Sequence, residues 1–70
     1  MLPLVFAALE EEATIKKVSG NPEVKQHLED LGFVPGASVR VVTKTGENVI
    51  VNIKEARVAI NSDMARKIMI

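Results

Sequence analysis

The sequence predicts one small, mainly β domain with a single inserted helix. Three observations predict it: short alternating apolar runs separated by turn residues, one sharply punctuated helical segment between Asn21 and Gly32, and a length of 70 residues, which encloses only one core. A domain of this size buries roughly 60% of the surface its unfolded chain exposes, so its stability is modest and each core residue counts. No cysteine is present, which removes disulfides and thiolate chemistry and points to a reducing compartment. Nine Lys and Arg balance nine Asp and Glu. No long-range positive field therefore draws the chain onto nucleic acid or an anionic membrane.

The opening Leu2 to Ala7 is apolar and β-prone and reads as a strand. Met1 to Leu9 as a whole is broken by Pro3, lacks a basic flank and runs into Glu10, Glu11 and Glu12, so it reads as neither a signal peptide nor a membrane span. Ala13 to Val18 reads as a second strand, with Ala13 and Ile15 on one face and Thr14 and Lys16 on the other. Lys17 followed by Val18 breaks that alternation, which places an end or bulge before Ser19 and Gly20.

The helix is marked at both ends. Asn21 suits the N-cap, Pro22 the first helical position and Glu23 the positive helix end. Val24, Leu28 and Leu31 form one apolar stripe, with Lys25, Gln26, Glu29 and Asp30 on the wet side. Gly32 supplies a left-handed residue, and Phe33 then falls where a Schellman ending sets it against Leu28.

Val34-Pro35-Gly36 is the pairing a type II turn prefers. Beyond it, Val39, Val41 and Thr43 alternate with Arg40, Val42 and Lys44. Thr45-Gly46-Glu47 turns the chain into a strand whose inner face is Val49, Val51 and Ile53. A tight reversal around Glu55 and Ala56 leads to a strand over Arg57 to Ile60. Asn61 or Ser62 then caps one helical turn through Met64 and Ala65, and Ile68 to Ile70 closes the chain as a strand. About five short strands at this spacing suggest a barrel closed on itself. No repeat, low-complexity tract or linker divides residues 1–70, which read as one domain.

The stretch Leu28-Glu29-Asp30-Leu31-Gly32-Phe33-Val34-Pro35-Gly36-Ala37-Ser38-Val39-Arg40-Val41 resembles the signature of the FeoA family of ferrous iron transport accessory proteins. Arg57-Val58-Ala59-Ile60 with Met64-Ala65-Arg66-Lys67-Ile68-Met69-Ile70 resembles that family's closing segment, and Ala13-Thr14-Ile15-Lys16-Lys17-Val18 its first internal strand. The resemblance implies an SH3-like β-barrel with an inserted α-helix, in the cytoplasm beside the membrane GTPase that imports ferrous iron (FeoB). It departs from the family pattern at Glu55, where a glycine is frequent, and at Asn61, where an arginine is frequent. A similar barrel forms the C-terminal domain of iron-dependent repressors. That likeness implies the alternative of a regulatory barrel binding a peptide or a transcription regulator.

Candidate chemistry is sparse. His27 is the single histidine and has only Asp30 near it in sequence as a companion ligand, so no metal site is expected. Glu10, Glu11 and Glu12 are consecutive and read as a solvated acidic turn, since three adjacent carboxylates converge poorly on one ion. Lys16, Lys17, Arg40, Lys44, Arg66 and Lys67 are basic but come without Trp or Tyr to stack bases, which argues against a nucleic-acid partner. There is no Ser-His-acid set and no Gly-rich phosphate loop, so neither catalysis nor a cofactor is expected. What remains is an apolar corner. Leu31, Phe33 and Val34, beside the Pro35-Gly36 turn, are the candidate contacts for a protein partner, and core packing accounts for the same residues equally well.

Overall fold

The computed structural model describes residues 2–70. Six strands and two helices follow in order: β1 (Glu12–Thr14), β2 (Lys17–Val18), α1 (Pro22–Leu31), β3 (Ser38–Thr45), β4 (Asn48–Ile53), β5 (Ala56–Asn61), α2 (Ser62–Ala65) and β6 (Ile68–Met69). They form a four-stranded sheet, β1-β3-β4-β5, and a two-stranded sheet, β2-β6, with every pairing antiparallel. The hydrogen-bonded ladder is thus in two pieces rather than one closed ring. One core joins them: Ile15, Leu28, Phe33, Val39, Val41, Val51, Ile53 and Ile68 are all buried in a single cluster.

The first expected strand is a 3-10 turn, Leu4–Phe6. The Phe6 amide donates to the Pro3 carbonyl at 3.0 Å and the Ala7 amide to that of Leu4 at 2.9 Å. This spacing buries Leu4 and Ala7, three residues apart, and turns Phe6 outward. Only the segment's beginning is extended. Pro3 bridges Met69, and Leu2 and Ile70 exchange backbone hydrogen bonds at 3.0 and 2.8 Å, lengthening the smaller sheet.

The second expected strand is also divided, between β1 and β2. Ile15 exchanges hydrogen bonds with the loop after α1, donating to Ala37 and accepting from Gly36, whereas the next amide, Lys16, donates to Met69 across the other sheet. The chain changes sheets at this step. Lys16 and Lys17 both stay exposed, so that Ile15 and Val18 can both be buried.

The β3–β4 hairpin forms as its alternation predicts, with Val39 opposite Ile53 and Val41 opposite Val51. A bulge at Val42 then shifts the register, so that Thr43 pairs with Ile50 and lies on the outer face instead of the expected inner one. Gly46 takes φ +56° at the first central position of the two-residue turn, where a II′ turn places glycine.

The β4–β5 turn is centred one residue earlier than expected, on Lys54 and Glu55, because Ile53 pairs with Ala56. Both turn residues have positive φ, +50° and +65°, a conformation in which an L side chain crowds its own carbonyl. Glu55→Gly is therefore expected to stabilise the domain by about 0.5–1 kcal/mol, the relief of left-handed strain less the extra unfolded-state entropy of glycine. A thermal melt checks this. A midpoint raised by about 2–8 °C is the expected result, and an unchanged or lowered midpoint would remove the strain argument.

Candidate functional site

The apolar corner singled out in the sequence is built by the end of α1. At the helix start, Asn21 Oδ1 accepts from the Val24 amide at 2.9 Å, with Pro22 in the first turn. At the other end Gly32 takes φ +105°, its amide donates to Glu29, and the Phe33 amide donates to Leu28 at 2.9 Å. These are the two bonds of a Schellman ending. The turn that follows is equally defined: the Ala37 amide donates to the Val34 carbonyl at 3.0 Å with Gly36 at φ +91°, as Pro-Gly in a type II turn requires.

The three candidate contacts separate by burial. Phe33 is wholly buried, in the same cluster as Leu28, and has no surface to offer a partner. Its placement follows from the Schellman geometry, which drives the residue after the cap glycine back onto the helix. Leu31 is half-buried and packs against the core. Val34 is half-buried beside exposed Pro35, at the start of the rigid turn.

Three exposed apolar side chains escaped the sequence reading. Leu2, Phe6 and Leu9 are 51%, 69% and 55% exposed. A period-two reading of Leu2 to Ala7 places Leu4 and Phe6 on one face, whereas burial follows Leu4 and Ala7. The i, i+3 spacing of those two residues was the available signal.

Beside the helix end lies an open cleft of about 240 Å³ whose polar lining is Glu12, Ser38, Arg40, Asn52, Lys54 and Glu55. Glu12, Arg40 and Asn52 stand in one cross-strand row over β1, β3 and β4, and Lys54 and Glu55 come from the strained turn. A side chain added at Gly32 would meet the Lys54 stem at 3.5 Å, so cleft and helix end share a border. The cleft carries both signs of charge and one hydroxyl, that of Ser38. His27 is exposed on α1. Among the described residues, no group of three or more His, Cys, Asp or Glu side chains stands together as a metal site, and no helix is long and apolar enough to cross a membrane.

Residues 2–70 match the FeoA domain. The chain belongs to the FeoA family. A curated relative in Methanocaldococcus jannaschii, described as "Putative Fe(2+) transport protein A", is 33% identical over 70 residues, spanning 100% of this chain and 85% of that protein. Among solved structures, the zinc-complexed FeoA of Stenotrophomonas maltophilia, described as an SH3 domain protein, superposes with a TM-score of 0.85 at 28% identity, covering 99% of this chain and 88% of its own. A manganese-dependent transcriptional repressor superposes at 0.86 with 20% identity, covering 94% of this chain but 38% of the repressor. That last likeness is one of fold. The expected SH3-like architecture with an inserted helix is therefore the observed one, although its sheets do not join into a continuous ladder.

Proposed function

We propose that this chain is an accessory protein of ferrous iron uptake that docks on the cytoplasmic region of the ferrous iron transporter GTPase (FeoB) and modulates its GTPase cycle or its assembly. The observation that carries this reading is the FeoA match across residues 2–70, which leaves no room for a second functional unit within them. Two relatives point the same way, the Methanocaldococcus jannaschii protein to Fe(2+) transport and the Stenotrophomonas maltophilia FeoA to activation of ferrous iron transport. In this reading the chain acts as a binding module, without catalysis, a cofactor or membrane insertion of its own.

The docking surface in this reading is the end of α1 and the turn after it, with Leu31 and Val34 as contacts and Phe33 supporting them from the core. The turn's backbone hydrogen bonds fix its shape in advance, which keeps the ordering cost of binding low. Val34→Glu is the cleanest probe, because Val34 is half-buried and not one of the core residues. We expect a folded variant by NMR whose capture of the FeoB cytoplasmic region is weakened about tenfold or more. Wild-type capture by that folded variant would move the surface elsewhere. Failure of the unmodified chain to bind FeoB would remove the partner.

The repressor's likeness favours a second reading, in which the barrel binds a peptide or a transcription regulator. Recovery of the chain with a soluble DNA-binding protein, and not with membranes, would select it.

A further inference from the structure

Strand β5 is one edge of the four-stranded sheet. Its pairing with β4 begins at Ile53 and Ala56, which flank a two-residue turn and so form a mutually hydrogen-bonded pair. Alternation from that pair directs the amides and carbonyls of Ala56, Val58 and Ile60 toward β4. Those of Arg57, Ala59 and Asn61 point the other way, and all three residues are exposed.

This edge is unguarded by the usual means. It runs for six residues in unbroken register, without proline, lysine or a bulge, and its one charge, Arg57, lies near the turn end. The opposite edge, β1, is only three residues long. Equal numbers of acidic and basic residues leave the chain with a formal net charge of zero, so no long-range repulsion holds copies apart.

We propose that β5 is a self-association site, at which two copies of this chain pair edge to edge, antiparallel, about a two-fold axis through Ala59. In that register Ala59 faces Ala59 of the second copy and Arg57 faces Asn61; the Ala59 amides and carbonyls meet each other and the Asn61 amide meets the Arg57 carbonyl, while the Asn61 carbonyl, at the N-cap of α2, already accepts the first bond of that helix. No like charges oppose each other. Sliding the copies toward the turn end strands the outward amides and brings the two Arg57 side chains together, while a one-residue slip sets the inner face of one copy beside the outer face of the other. The axis also carries a small side chain, so the backbones approach without obstruction. The outer row Thr43, Ile50 and Ala59 then continues across the axis into the same row of the second copy.

The test uses the full chain. Sedimentation equilibrium up to about 1 mM is expected to show the mass rising from one chain toward two, as for a small, weak interface. In a sample mixing isotope-labelled and unlabelled protein, an intermolecular NOE is expected between the α-protons of Val58 and Ile60, which the register places in a closely spaced, non-hydrogen-bonded pair. Ala59→Glu sets two carboxylates face to face at the axis, at an exposed position, and is expected to weaken association at least about tenfold. Ala59→Pro deletes an outward amide that β4 does not use and should act in the same direction. A chain that stays monomeric at about 1 mM, or a dimer left intact by both variants, overturns the proposal, as do intermolecular NOEs from another surface.

Discussion

Phe33→Ala is expected to cost about 3–5 kcal/mol, because it removes a wholly buried ring from a packed core that collapses only in part around the gap. A 70-residue domain has total stability on the order of 4–10 kcal/mol, so this one change removes from about a third of it to all of it. The expected result in a thermal melt is a midpoint lowered by about 12 °C or more, or no folded baseline at body temperature. Phe33→Leu restores most of the apolar volume and should recover most of the loss. The alternative, Phe33 as a partner contact, predicts a variant with a wild-type midpoint that fails only in binding. That outcome would show that the ring adds nothing to the core of the free domain and would overturn the core assignment.

The same residue shows how sequence signals can conflict. Cap geometry placed Phe33 on Leu28, and apolar clustering placed it on the surface with Leu31 and Val34. Local hydrogen bonding prevailed, since the Gly32 conformation fixes the direction of the next side chain before any partner is present. Helix α1 was readable for that reason: Asn21, Pro22 and Gly32 act on atoms within four residues of themselves. The β3–β4 hairpin was readable because both arms alternate, but the bulge was not, since consecutive Val41 and Val42 satisfy either phase. The β4–β5 reversal was misplaced by one residue for want of a glycine to mark its left-handed positions, which Lys54 and Glu55 occupy instead. The division of Ala13 to Val18 between two sheets depends on pairing Lys17 with Met69, a contact across most of the chain that no local pattern encodes. The exposed Phe6 was hidden in an apolar run whose period could be read two ways.

Leu28→Ala is expected to cost about 2–5 kcal/mol, and to act first on α1. The helix has ten residues, too few to persist alone in water, and most of its surface is charged or polar. Its N-cap contributes about 1 kcal/mol and the exposed Gln26–Asp30 side-chain hydrogen bond about 0.2–0.5 kcal/mol, which together fall short of what holds a short helix. What anchors it is burial. Leu28 is the one wholly buried side chain of α1, and it lies in the same buried cluster as Phe33, so trimming it loosens both the helix face and its ending. The β3–β4 hairpin keeps its own buried Val39, Val41, Val51 and Ile53 and its paired backbone. Hydrogen exchange followed by NMR separates the two regions. The expected result is that the amides of residues 25–33 exchange faster than those of β3 and β4 by more than the global loss of stability requires. Equal acceleration in both regions would mean that α1 and the sheet open as one cooperative unit, and that the helix is held by the fold as a whole rather than through Leu28.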